Sequence, residues 1–403
     1  MKNKDNSPFT PGSPVPAENF IGRTAQVDEA IRHMKQATRG KQQNVFLTGD
    51  RGIGKSSFAS FLRHWAAEKE NVLGIHVFLG RVSTLNEMVR HIFDQVLKVT
   101  QEQTWSQKIK QSFGDSIQQV GLFGISLSFN PRKDELENLV AKFPEALDNL
   151  LKGIRGEQKA LFMALDDVNG LAEEPEFANW YKSFVDEVAT HYKDFPVFTM
   201  LVGLPEKRDK LASLQPSLMR IFSIIEIEKL SDDDVREFLS QSFRSVNIPV
   251  SSEAMKLMVR FSSGLPILMH EIGDATFWVD DDESVNINDA VVGITLAAER
   301  IGRKYLDPKV YRAIRSKRYR SILRKLAQVP LSTHFSTKEL GSKLTEAEKK
   351  VLHNFLRKLR ELGIIESDLE RGQGAYRFVN EIYPVYILME SQRYKTQASH
   401  KKT

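Results

Sequence analysis

Residues 43–56 read QNVFLTGDRGIGKS, and the reading of this stretch decides the fold. Gln43–Gly49 is short, mostly apolar and ends in glycine, as expected of a strand buried on both faces of a parallel sheet. From Lys55 to about Lys69 the pattern is helical. The turn between them, Gly49-Asp50-Arg51-Gly52-Ile53-Gly54-Lys55-Ser56, satisfies the whole GxxxxGK[ST] spacing in the strand–loop–helix context that spacing requires. Glycines let backbone N–H groups curl around a phosphate, and the positive end of the following helix faces the same anion. A nucleotide cradle is therefore expected from Gly49 to Ser57. In it Lys55 neutralises β- and γ-phosphate oxygens, the Ser56 hydroxyl holds Mg2+, and Ser57 serves chiefly as a second capping hydroxyl.

Outward from this loop, β-rich runs alternate with helical patterns between about residues 22 and 228. Val72–Leu79, Leu161–Leu165, Val197–Val202 and Ser223–Glu228 bring the strands to five, with helices near 84–99 and 175–191. This alternation predicts an α/β fold, a five-stranded parallel sheet with crossover helices. Such a sheet delivers the last carboxylates of a buried strand to the edge where the loop lies. Leu161–Leu165 runs directly into Asp166 and Asp167. Asp166 is expected to reach Mg2+ through water, and Asp167 to polarise an attacking water. Residues 101–134 interrupt the rhythm, with Ile125, Leu127 and Phe129 alternating with Ser126 and Ser128 beside Gly121 and Gly124. They predict an extra edge strand on the sheet or, alternatively, a hairpin that touches a partner or substrate.

A chain of 403 residues predicts two or three packed units. With 41% hydrophobic and 27% charged residues, a disordered or collagen-like chain is excluded. The absence of cysteine excludes a disulfide scaffold, a thiolate metal site and a cysteine nucleophile, and fits a reducing compartment. No apolar run approaches the roughly 20 residues of a membrane span, and the start MKNKDNSPFTPGSPVPAENF lacks a signal-peptide core. A cytoplasmic protein without membrane contact is expected. Four prolines from Pro8 to Pro16 predict an extended arm over residues 1–19. The net charge is +5, yet residues 301–403 alone hold 23 Lys and Arg against 10 Asp and Glu. Basic charge so concentrated suits a polyanion partner.

With these motifs in place, the chain resembles the AAA+ and related STAND-type P-loop ATPases, especially the archaeal-type, origin-recognition-complex-like initiator branch. Phe20-Ile21-Gly22-Arg23 is similar to the F-x-G-R box of that family, and PFTPG to its N-terminal arm. The resemblance implies that Phe20, Ile21, Gly22 and Arg23 hold adenine. It implies that Ser217–Phe222 (SLMRIF) presents Arg220 as an arginine finger to a neighbouring subunit. It also implies that Gly264-Leu265-Pro266 is a G-x-P signature with Pro266 near the adenine. Read without the resemblance, Arg220 is a surface residue and Gly264–Pro266 a helix break. Three departures stand out: Ile267 and Leu268 where a lid arginine is usual, no Asn in Thr199–Gly203 with Thr199 the nearest substitute, and Asp167 in place of Glu. The last two imply slow hydrolysis, as in a switch.

Residues 230–283 predict a helical lid, opened by Ser231 capping a helix whose positive end accepts Asp232–Asp234. Asp280–Glu283 reads as the linker into a basic module over 284–403. There Tyr319–Gln328, Ser336–Leu344 and a helix from the Thr345/Glu348 capping box to about Gly363 precede two strands around Arg371–Gly374, the order of a winged helix. Leu352, Phe355, Leu356 and Leu359 share one face of the third helix, opposite Lys350, His353, Asn354 and Arg357. Lys350, Asn354 and Arg357 are candidate contacts to duplex DNA, and Arg371 and Arg377 to backbone phosphate. The same surface could bind protein instead. The combined expectation is an ATPase using ATP and Mg2+, slow, oligomeric with itself or partner ATPase subunits, and bound to DNA. The alternative is a signalling or defence ATPase whose C-terminal domain binds a protein.

Overall fold

The chain's apolar runs become strands β1 (Gln43–Gly49), β2 (Leu73–Phe78), β3 (Ile117–Val120), β4 (Ser126–Phe129), β5 (Leu161–Asp166), β6 (Val197–Val202) and β7 (Ser223–Ile227) in the first of two compact units, Pro14–Glu228. The computed structural model describes residues 4–13, 20–100, 103, 117–120, 126–129, 131–326 and 332–400. Five strands form one parallel sheet in the order β2-β5-β6-β1-β7. Every residue of β5 and β6 is buried, which explains their unbroken apolar runs: helices cover both faces. Helix Leu85–Thr100 buries Leu85, Met88, Val89, Ile92, Phe93, Val96 and Leu97, an i, i+3, i+4 stripe. Helix Phe143–Ile154 buries Phe143, Leu147, Leu150, Leu151 and Ile154 in the same core. Full burial of a side chain such as Phe93 contributes roughly 2–3 kcal/mol.

The inserted β-structure differs from the edge-strand expectation. β3 and β4 pair antiparallel, Ile117 opposite Phe129, in a two-stranded sheet of their own. The Phe129 N–H donates to Asp94 Oδ1 at 3.2 Å and its ring meets Phe93 at 5.6 Å, so the hairpin is anchored on helix Leu85–Thr100. Ile125, Gly121 and Gly124 lie outside the described residues.

The second unit joins Met1–Ser13 to Lys229–Thr403. The proline-bearing arm is part of it through Phe9, only 4% exposed, whose ring packs edge-on against Phe238, Phe243 and His270. The Thr10 N–H donates to His270 Nδ1 at 3.0 Å, and Lys4 donates to the Phe277 carbonyl at 2.7 Å. Position 273 must be glycine here, because a Cβ would come 2.3 Å from the Phe9 ring. Pro14 and Pro16 lie outside the described residues. The acidic run at Asp232 is a capping box: Ser231 Oγ accepts from the Asp234 N–H at 3.1 Å and the Ser231 N–H donates to Asp234 Oδ2 at 3.2 Å. Residues 280–286, non-helical, connect helix Pro266–Val279 to the next helix within the same compact unit. Helix Ile287–Ile301 buries Ala290, Gly293, Ile294, Ala297 and Ala298 against helices Ser252–Ser262 and Pro266–Val279.

Beyond it, helix Lys317–Leu326, β8 (His334–Ser336), helices Thr337–Ser342, Glu346–Lys349 and Leu352–Glu361, β9 (Ile365–Ser367) and β10 (Ala375–Phe378) follow in winged-helix order, the strands ordered β8-β10-β9. Glu348 ties this module together. It is buried, accepts from Lys325 Nζ at 2.6 Å and from the Thr345 N–H at 2.8 Å. Burial works to raise its pKa, but Lys325, Ser321 and Thr345 together hold it down to about 2. A depressed carboxylate stabilises the fold above its ordinary value of 4.5 and loses that contribution as pH falls through about 2. Glu348→Gln should therefore lower the melting temperature at neutral pH. Melting curves by circular dichroism should show the gap to the parent closing as pH falls from about 4.5 towards about 2.

Candidate functional site

The parallel register brings the ends of β1, β5 and β6 to one edge of the sheet: Asp166 ends β5 opposite Val202, which ends β6 and pairs on its other side with Leu47, two residues before Gly49. Gly49, Gly52 and Gly54 have φ of 150°, 79° and 97°, so the loop is built from conformations that glycine supplies. Gly54 is the N-cap of helix Lys55–Glu70. Ile53 and Ser57 are buried, Ser56 half-buried, and Asp50 and Arg51 exposed. Lys55 folds over the loop, its Nζ donating to the carbonyls of Gly49 at 2.7 Å and Asp50 at 2.8 Å. Burial pushes the Lys55 pKa below its ordinary value, and Asp166 is the strongest charge opposing that shift. The ammonium and the carboxylate therefore act on the same space.

The second edge of the site is made by the two aspartates. Asp166 is 3% exposed, and its Oδ2 lies 2.9 Å from His76 Nε2 on the neighbouring strand. Asp167 adopts left-handed backbone with φ 60°, which turns the chain sharply off the strand. Its Oδ1 accepts from Asn169 Nδ2, and Asn169 Oδ1 accepts from the Leu204 N–H at 3.2 Å, just past β6. A Cβ at position 80 would meet Asp167 Oδ2 at 2.6 Å, so Gly80 leaves room for that carboxylate. Ser56 hydroxyl and Asp166 carboxylate are hard oxygen donors, the kind that hold Mg2+ together with waters and phosphate oxygens.

The F-x-G-R box lies against the same loop. Gly22 and Arg23 have φ of 76° and 62°, and Arg23 Nη2 donates to the Ile53 carbonyl. Phe20 stacks on Phe61 at 4.5 Å and meets Phe58 edge-on, while Ile21 is half-buried. Arg220 and Thr199 stand away from this edge of the sheet. Arg220 ends a short helix before β7, and Ser223 pairs with Val45 while Ile227 pairs with Gly49. Arg220 is thus more than about 13 Å behind the loop, at the opposite edge of the sheet; it is exposed and donates to Ser217 Oγ at 3.3 Å. Thr199 pairs with Asn44, five residues before Gly49, and sits buried mid-strand. Pro266 opens a helix of the second unit.

Residues 19–180 match the family model described as AAA ATPase domain. Over that stretch, less than half of the chain, the sequence is similar to an AAA ATPase domain. The matched stretch contains both phosphate-site motifs and ends before β6 and Arg220. A curated relative is an HTH-type transcriptional regulator of Methanocaldococcus jannaschii, 20% identical over 264 residues, 61% of this chain and 60% of that protein. The chain therefore aligns with less than two thirds of that relative's length. Among solved structures, the Aeropyrum pernix ORC2 protein in ADPNP and ADP complexes covers 99% of both chains at 14% identity and TM-score 0.59. A Walker-type ATPase of Pyrococcus abyssi covers 92% of this chain and 96% of its own at 18% identity and TM-score 0.54. These likenesses show the fold alone: a P-loop-type α/β domain with a five-stranded parallel sheet, followed by helical and C-terminal elements.

The expected DNA face is partly assembled. Leu352, Phe355, Leu356 and Leu359 are buried, and His353, Asn354 and Arg357 are exposed on helix Leu352–Glu361. Lys350 is not on that helix. The single helix expected from Thr345 breaks at Lys350–Val351, because Val351 leaves helical geometry with ψ near 0°. Lys350 is exposed at the break. On the wing, Arg377 pairs with Glu366 at 2.6 Å and Arg371 with Asp368 at 3.6 Å. Two groups went unrecognised in the sequence, His76 and Asn169. The only trace of His76 is a lone polar residue inside an apolar strand, and Asn169 stands in an unremarkable turn.

Asn169 bridges Asp167 to the backbone just past β6, so Asn169→Ala should misplace Asp167 without touching the loop. ATP turnover should fall about 10–100-fold, while affinity for ATP stays within about twofold of the parent, as measured by phosphate release and calorimetry.

Proposed function

We propose that this chain is an ATP-controlled switch that binds ATP with Mg2+, hydrolyses it slowly, assembles with further copies or related ATPase subunits, and engages duplex DNA through its C-terminal module. The observation that carries this reading is the convergence of Lys55, Ser56, Asp166 and Asp167 on one edge of an AAA+ sheet. Bound ATP–Mg2+ would supply the phosphoryl group and the charge on which the site acts. Lys55 and the loop N–H groups hold phosphate, Ser56 and Asp166 face the metal, and Asp167 orients and deprotonates water. Aspartate reaches about one methylene less far than glutamate, which supports slow turnover. Phe20, Ile21, Gly22 and Arg23 form the adenine wall. A cysteine-free chain suits the cytoplasm, and no helix among the described residues is long and apolar enough to cross a membrane.

The position of Arg220 favours action on a neighbour's nucleotide, since its own loop is out of reach. Lys55→Ala should abolish ATP binding, and Arg220→Ala should leave binding intact but depress hydrolysis. Mixing the two variants should partly restore activity, one supplying the pocket and the other the finger. Unchanged hydrolysis by Arg220→Ala alone would show a pocket completed within one chain.

DNA is favoured by the exposed Lys350, His353, Asn354 and Arg357, by the basic excess of residues 301–403, and by the regulator named among the relatives. Replacing Lys350 and Arg357 with Ala should weaken duplex binding and reduce its salt slope by roughly two, about one per lost phosphate contact. ATP affinity should not change. A second reading, a signalling ATPase whose second unit binds protein, is favoured by the exposed apolar row Ile287, Val291, Val292 and Leu296. Duplex binding indifferent to both substitutions across a salt series would shift the assignment to that reading.

A further inference from the structure

His76 is the polar residue of β2, an otherwise apolar edge strand reading LGIHVF, and it is buried beside Asp166. The register explains the contact. His76 lies opposite Ala164 and Phe78 opposite Asp166, so His76 reaches forward along the sheet face to the carboxylate. Nε2 and Oδ2 are 2.9 Å apart, with side chains 8% and 5% exposed. Phe78, two residues on, stacks over the imidazole at 4.4 Å and 23° although it is 61% exposed. A large apolar ring held open to solvent, with one face covering a buried His–Asp pair, has no role in the sheet's core packing.

We propose that His76 is a positioning residue for Asp166: by donating to Oδ2 it turns Oδ1 towards the phosphate loop and sets how tightly the site takes Mg2+, with Phe78 shielding the bond from water. The inference rests on Asp166 being the carboxylate that faces the metal. A carboxylate with one oxygen bound from behind loses rotamer freedom, and its other oxygen is presented in one direction. Partners of this kind that orient a metal-facing group typically change metal affinity 10–100-fold when removed. Phe78 adds a low-dielectric cover that strengthens the bond beneath it.

The test uses the full chain and a fluorescent ATP analogue, titrated in EDTA and then across a Mg2+ series. His76→Leu keeps apolar volume but removes the donor, and should raise the half-saturating Mg2+ concentration about 10–100-fold, with binding in EDTA unchanged. His76→Gln places an amide N–H close to the Nε2 position and should return the requirement to within a few-fold of the parent. A His76→Leu chain with the parent's Mg2+ requirement overturns the inference, as does a His76→Gln chain that behaves like His76→Leu, since packing would then explain both. Should His76→Leu not fold, Phe78→Ala carries the test: uncovering the imidazole raises the requirement several-fold, and an unchanged requirement overturns the inference. A parent whose nucleotide binding ignores Mg2+ removes the metal role of Asp166 itself, and the inference with it.

Discussion

Everything at the nucleotide site depends on the parallel register of β1, β5 and β6. Parallel strands all end at the same edge, so the ladders of β6 with β5 and with β1 set Asp166 level with Val202 and Leu47, and Gly49 follows two residues beyond. The phosphate loop, the acidic pair and the backbone that anchors Asn169 then face each other without any contact between their own side chains being needed to assemble them. Shift β5 by one residue and its side chains exchange faces, Asp166 turning away from the loop while Leu165 takes its place. The full burial of β5 and β6 opposes that slip, because both faces are packed and a displaced strand would leave cavities on each. Core packing, not the site's own electrostatics, sets the separation of cation and carboxylates.

That arrangement leaves an electrostatic problem which the neighbours of the acidic pair solve. Asp166 is buried where an isolated carboxylate is unfavourable. His76 meets one oxygen from behind, and Lys55 supplies positive charge from the loop side. Asp167 instead leaves the strand through a left-handed turn, and Asn169 holds it while being held by the Leu204 N–H. The two acids therefore sit in different surroundings despite being adjacent in sequence. One is fixed and screened, as a metal-facing group needs to be. The other hangs from a turn with an amide partner, where it can accept a proton from water.

Much of this was legible in the sequence because it is local. Gly49–Ser56 and Leu161–Asp167 each carry their own strand, turn and polar groups within a few residues, and their period and glycine placement survive any tertiary context. The apolar stripe Leu352, Phe355, Leu356 and Leu359 was legible for the same reason. His76 and Asn169 were not, because their roles arise from pairing across strands: His76 meets Asp166 ninety residues away, and Asn169 meets Leu204 thirty-five residues away. Thr199 was named only as the nearest substitute for an absent Asn, and its depth within the sheet came from the register with β1. For β3 and β4 the sequence left an edge strand and a hairpin both open, because alternation reports a half-buried strand but not its partner. The break at Lys350–Val351 was hidden because the residues before and after it keep helical spacing.

The same register has a consequence for catalysis. β7 enters the sheet at Ser223 opposite Val45, and its preceding turn holds Arg220 at the edge where strands begin. A side chain of about 7 Å cannot cross the length of a five-residue strand, which is about 17 Å, and no rotamer of Arg220 brings a guanidinium to its own loop. Lys55 is then the sole basic side chain of its own P-loop that reaches back over the loop carbonyls among the described contacts. Phosphoryl transfer spreads charge over three equatorial oxygens, and an added arginine is commonly worth several orders of magnitude in rate. In the proposed cycle the isolated chain therefore holds nucleotide with an incomplete charge clamp, and a second copy supplies the missing cation from the opposite edge of its sheet. In that proposed cycle hydrolysis reports on assembly, because sheet geometry keeps Arg220 away from its own loop.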